Sequence, residues 1–262
     1  MNTAPPRDLV TTPVESDSDA SRLIGVLDEI WGGTPGACHL DHSLLTALAH
    51  AGEYAVLYEQ HGRPIGGGVG FFGPPQDAVL HSHMVGVLPS AAGRGIGLAI
   101  KHHQRQWCLE RGVREMTWTF DPLIGRNAAF NLRKLGARAE KYLENFYGNM
   151  SDGINSGQAT DRILLRWSLT DPVPPSEEYG AVAPWVAEDA SGGPMLLEPD
   201  PAANRRSVRV PRDDERLRRD DPITAKRWRS AVRQTLAPAL SEGWSIIGFT
   251  REGDYILERT SK

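Results

Sequence analysis

An apolar run, Val85-Gly86-Val87-Leu88-Pro89, is followed three residues later by Gly93-Arg94-Gly95-Ile96-Gly97. An extended segment that passes through a glycine turn straight into a helix gathers unpaired N–H groups at the positive end of that helix. A phosphate or diphosphate fits there. Glycine at 93, 95 and 97 removes the Cβ atoms that would hold an anion off the backbone, and Arg94 adds a charged fork beside it. A plain strand-to-helix turn is the alternative, so the flanking elements decide between the two.

Those elements form a consistent series. Leu9–Val14 reads as a strand, and 17–31 as a helix with Leu23, Val26, Leu27 and Ile30 at helical spacing. Three strands follow at 54–58, 64–72 and 79–88, with breaks short enough for an antiparallel meander. A helix is expected from Arg94 to about Arg111, a strand over 115–120, a helix over 127–135 stopped by Gly136, and strands at 142–147 and 163–169. Residues 171–193 carry Pro172, Pro174, Pro175, Pro184 and Ser191-Gly192-Gly193, the composition of a linker. Beyond it, 194–262 reads as a small α+β unit. Its helix at 223–236 ends or kinks near Pro238, and a hairpin turns across Glu252-Gly253. That unit is too small for a large core of its own, so it is expected to pack on the first domain or on a second subunit in a homodimer.

The series of strand, glycine turn, long helix, strand and asparagine-led helix ending in Lys134-Leu135-Gly136-Ala137 resembles the GCN5-related N-acetyltransferase (GNAT) superfamily. The later stretches Trp118-Thr119-Phe120-Asp121-Pro122-Leu123 and Asn145-Phe146-Tyr147-Gly148 look like an uncharacterised bacterial subgroup with a C-terminal extension. Ala92 stands where the family turn carries Gln or Arg, while Gly95 and Gly97 match. The resemblance implies a mixed, mostly antiparallel α+β sheet flanked by helices over residues 1–170, with the smaller α+β unit following. It also implies that acetyl-CoA or another acyl-CoA is bound by Val85, Gly86, Val87, Gly93, Arg94, Gly95, Ile96, Gly97 and Asn127. Asn127 has a second reading as a helix N-cap.

The implied reaction is attack of an amine on a thioester, which needs a proton acceptor, an oxyanion donor and a leaving thiolate. His81 falls where some relatives carry a basic Glu, and His83 shares its face through strand alternation. A backbone N–H near Val85 serves the oxyanion. Leu132 stands where many relatives place a Tyr acid, so Tyr147, or else Tyr142, is the candidate in its place. Asn145, Asp152, Asn155 and Arg162, in or beside a polar loop, are candidates to hold a substrate with an amine and a carboxylate. The expected activity is acyl transfer, acetyl by default and succinyl as an alternative, to a small amine such as an amino acid. The rival is a catalytically silent acyl-CoA-binding or regulatory module.

Composition sets the remaining limits. Net charge is −4, and the eleven Lys and Arg between 205 and 233 interleave with five acids. That pattern reads as a solvated, salt-bridged face rather than a nucleic-acid surface. Two cysteines are too few for a zinc site, and none is expected to bind metal. No apolar run suits a membrane span, and a cytoplasmic protein is expected.

Overall fold

The computed structural model describes residues 8–31, 40–148, 159–173 and 179–260. The chain divides into two compact units, and the division falls inside a strand, between Trp118 and Thr119.

The first unit holds β1 (Leu9–Pro13), α1 (Asp17–Trp31), α2 (His42–His50), β2 (Tyr54–Gln60), β3 (Arg63–Phe72), β4 (Val79–Val87), α3 (Ile96–Glu110) and the start of β5 (Glu115–Phe120). β1 to β4 pair in sequence order, all antiparallel, and β4 pairs with β5 in parallel. The helix α2 was not expected; Asp41 caps it by accepting from Leu44 N–H at 3.0 Å. Leu23, Val26 and Leu27 of α1 and Leu45 of α2 pack on Ala55, Leu57, Val69 and Met84, which forms the core on one face of the sheet.

The glycine run in β3 follows from that packing. A Cβ on Gly67 would lie 2.3 Å from Leu23 Cδ1 and 3.1 Å from Leu27 Cδ2, so α1 sits directly on bare backbone. Both leucines are fully buried. Gly67→Val is therefore expected to cost about 1–3 kcal/mol through overpacking, read as a lowered urea midpoint. An unchanged midpoint would mean that α1 packs more loosely than this.

The second unit takes in α4 (Gly125–Ala128), which continues as a π-helical turn over Ala129–Lys134, and the hairpin β6 (Arg138–Leu143) and β7 (Arg162–Ser168). It also contains β8 (Ala183–Glu188), β9 (Pro194–Leu196), β10 (Arg205–Arg209), α5 (Asp214–Asp220), α6 (Pro222–Ser241), β11 (Trp244–Phe249) and β12 (Asp254–Arg259). The last five strands form one sheet in the order β11-β12-β10-β8-β9, antiparallel except for β8 beside β10.

Three details differ from expectation. The expected linker contains β8, because its backbone pairs with Arg206, Ser207 and Val208 some twenty residues on, a partner that composition does not reveal. Residues 144–147 form a turn, and the strand expected there lies earlier, at Arg138–Leu143. α6 runs through Pro238, which sits in the last turn, where it forgoes only one helix bond. Trp228, Val232 and Leu236 of α6 are buried, as are Val186, Val208, Tyr255 and Leu257 of the sheet. Residues 194–260 thus share a compact unit with 119–148, and Tyr255 OH donates to Pro122 C=O at 2.8 Å.

Candidate active site

The glycine turn folds as its residues require. Gly93 and Gly95 have φ of 76° and 81°, in the left-handed region where a side chain is strained, and Gly95 caps α3. Ala92, Gly93 and Arg94 are exposed, and Gly95 and Gly97 are half-buried. Nothing lies within 4 Å of a Cβ placed on Gly93, Gly95 or Gly97. The first helix bonds come from Leu98 and Ala99 N–H to Gly95 C=O, and among the described residues no acceptor takes the N–H groups of 93–97. The turn is therefore an open cradle of orphan donors at a helix N-terminus. It fits a diphosphate in charge and in space.

β4 leads into this cradle with one side bare. Val85, Gly86 and Val87 pair with Gly68, Gly67 and Gly66 of β3. On the other side β4 pairs with β5 only at Val79, Leu80 and His81, opposite Glu115, Met116 and Thr117. Beyond His81 the β5-facing backbone of β4 has no partner strand among the described residues, which leaves an edge to which an extended, amide-bearing ligand can add.

The same strand carries both histidines. Between Phe71 and Val69 of β3, β4 holds an extra residue, since Phe71 faces His81 and Val69 faces Met84. Both imidazoles lie on the Phe71 side, with ring centroids 5.3 Å (His81) and 5.8 Å (His83) from Phe71 and 6.3 Å from each other. Ser82 between them turns to the opposite face, against α3. Thr117 Oγ1 lies 3.2 Å from His81 Nδ1 and fixes the ring. If Nδ1 carries the proton, Nε2 is left as the acceptor.

Burial, the neighbouring His83 and the Lys101 charge together lower the His81 pKa from 6.5 to about 4. His83, more exposed, is lowered by desolvation. His81 is thus a weaker base than a histidine of ordinary pKa and stays neutral throughout the physiological range. An environment that refuses a proton to imidazole also disfavours an ammonium beside it, so an amine brought to His81 tends to lose its proton.

The remaining candidates belong to the second unit. Asn127 is exposed in α4, but the helix starts at Gly125, so Asn127 is not its cap. Asn145 sits at φ 44°, and its side-chain oxygen accepts from Thr160 N–H at 3.1 Å, a role in holding the turn. The Tyr147 hydroxyl pairs with Thr119 Oγ1 at 3.0 Å. Arg162 is buried, donates to Asp161 C=O at 2.9 Å and lies 5.2 Å from the Tyr147 ring centroid. Asp152 and Asn155 lie outside the described residues. Leu132 is half-buried within the π-helical turn. Among the described residues no cluster suits a metal ion, and no helix is long and apolar enough to cross a membrane.

Phe71, Thr117 and Lys101 escaped the sequence reading.

Residues 23–136 match the family described as Acetyltransferase (GNAT) family. None of the curated proteins compared matches the chain. Three solved structures share the fold, each with a TM-score of 0.50. The ribosomal-protein-S18-alanine N-acetyltransferase from Escherichia coli is 13% identical, with 63% of this chain and 96% of that one covered. Arabidopsis thaliana Naa50, in complex with the bisubstrate analogue CoA-Ac-MVNAL, is 18% identical, covering 62% and 99%. A GNAT-family acetyltransferase from Streptococcus pneumoniae is 15% identical, covering 61% and 99%.

Proposed function

From the match of residues 23–136 to the GNAT acetyltransferase family, we propose that the protein is an acyl-CoA-dependent N-acyltransferase of a small amine, with an amino acid or amino-acid-like metabolite as its substrate class. The observation that carries the reading is the continuity of two features. The donor-lined turn at 93–97 follows directly on a strand whose edge at 83–87 is open on one side. Acetyl-CoA is the default donor and succinyl-CoA the alternative.

The donor supplies a thioester whose carbon takes the amine nitrogen as the C–S bond breaks and the thiolate leaves. The chain's own residues do the rest. N–H groups of Gly93 to Gly97 hold the diphosphate, and the β4 edge at Val85 to Val87 aligns the amide-bearing arm. A β4 N–H near Val85 serves the developing oxyanion. His81 Nε2 accepts a hydrogen bond from the amine and relays its proton toward His83 and water. A thiol leaving group has a pKa near ~8.5 and departs without full protonation. Leu132 in the family's acid position is therefore tolerable, and Tyr147 remains the candidate acid.

Released CoA thiol, measured with acetyl- and succinyl-CoA against a panel of amino acids and small amines, tests this reading. The expected result is turnover with at least one small amine, and His81→Ala is expected to lower kcat/KM by about 10²-fold. Because His81 is neutral above about pH 4, its titration adds no inflection between pH 5 and 8, and the acid limb follows the substrate amine. CoA binding without transfer to any amine would favour the silent module instead.

A further inference from the structure

Beneath the histidine pair, on the other face of the same two strands, lies a lysine without a carboxylate partner. Lys101 of α3 is buried, with its Nζ donating to Ser82 Oγ at 2.9 Å, 3.9 Å from Met116 Sδ and 3.9 Å from the centroid of the Trp118 ring. Ser82 in turn donates to Gln104 Oε1 at 3.0 Å. The residues that Lys101 touches, 82, 116 and 118, alternate along β4 and β5 with 81, 83 and 117, which face the site. The cation therefore sits one sheet thickness below His81. Leu80 and Met116 beside it are fully buried, and among the described residues no acid pairs with Lys101. A buried ammonium without a counter-ion is costly, and a Met or Leu would fill the place without that cost.

We propose that Lys101 is a positioning residue for His81: it clamps Ser82 at the β4 bulge and sets its amino group on the sheet face behind the imidazole, so that the ring stays aimed at the amine. The proposal deepens the acyl-transfer reading and rests on it for its biological sense, but its physical content concerns the histidines alone. The groups acting on His81 are His83 and Phe71 on its own face, Thr117 at Nδ1 and Lys101 behind. Around Lys101 the titratable neighbours are His81 and the buried thiol of Cys108. Burial lowers the Lys101 pKa from 10.5 to about 7. Lys101 is thus charged throughout the range near pH 4 in which His81 titrates. The His83 pKa is lowered by desolvation, so the charge of Lys101 is expected to act on it less than on His81. This contrast separates an electrostatic role from general damage to the fold.

The test is an NMR titration of the histidine side chains in the full chain, which requires no turnover. In the wild type, His81 is expected to titrate well below an ordinary histidine; a midpoint near 6.5 would overturn the proposal before any variant is made. In Lys101→Met, the His81 midpoint is expected to rise, by less than about one unit, and by more than that of His83. Ser82→Ala keeps the charge and removes the clamp, so it is expected to leave the His81 midpoint low. A folded Lys101→Met protein whose His81 midpoint is unmoved would sink the proposal, as would equal shifts of both histidines. Absence of acyl transfer with every amine would refute the activity but not these midpoints, so the two failures are distinguishable.

Discussion

Gly97→Asp is expected to weaken CoA binding by at least about 30-fold while leaving thermal stability unchanged or slightly raised. Gly97 is the second residue of α3 and, unlike Gly93 and Gly95, has no positive φ. A Cβ there meets nothing within 4 Å, so an aspartate enters without displacing any neighbour. Its carboxylate interacts favourably with the helix N-terminus, by about 0.3–1 kcal/mol. It also occupies the space assigned to the diphosphate and repels it. Calorimetric titration with CoA, beside a melting curve, separates the two effects. Undiminished CoA affinity in a folded variant would remove the turn from the binding site.

Asp121→Asn carries the largest expected stability effect, about 3–5 kcal/mol, in the second unit. Asp121 is buried and accepts from both Nη atoms of Arg229 at 2.6 and 2.7 Å, from Arg218 at 2.6 Å and from Leu123 N–H at 2.9 Å. Arg162 lies 3.9 Å away. Burial alone would raise the Asp121 pKa, but Arg229, Arg218 and Arg162 together hold it well below the usual carboxylate range. The asparagine keeps the shape and leaves three buried guanidiniums short of their counter-charge, with Asp214 beside Arg218 as the nearest remaining acid. The urea midpoint of the transition reporting on buried Trp228 should fall by about 1–3 M. The sign with pH follows from the lowered pKa. The Asp121 contribution is complete above about pH 4 and is lost only as pH falls below its usual titration range. An unchanged midpoint would show that the arginines find other partners.

How far the sequence carried depended on the range of the interactions. The turn at 93–97 and the strand before it were readable because both follow from neighbouring residues: glycines that supply positive φ and open space, then a helix that supplies the donors. The placement of His81 and His83 on one face was expected from simple alternation. Ser82 between them turns toward α3 as alternation requires, whereas the bulge between His81 and Met84 could not be seen from spacing alone. Asp121 stood in a stretch that carried the resemblance, but its partners were not legible, since they lie 97 and 108 residues further along the chain. For the same reason the arginine-rich stretch read as solvated, although Arg218 and Arg229 are buried on that carboxylate. Pro184 made 171–193 look like a linker, whereas β8 is held by pairing with β10. Lys101 is one basic residue among many in the sequence, and its burial without an acid partner among the described residues is a fact of packing.

The most direct measurement is the map of amide chemical shifts when acetyl-CoA is added to the isotope-labelled full chain. Saturable shifts centred on Gly93, Gly95, Ile96 and Gly97 and continuing along Val85, Gly86 and Val87 are the predicted result. Saturable shifts confined to other residues, or none at all, would contradict it.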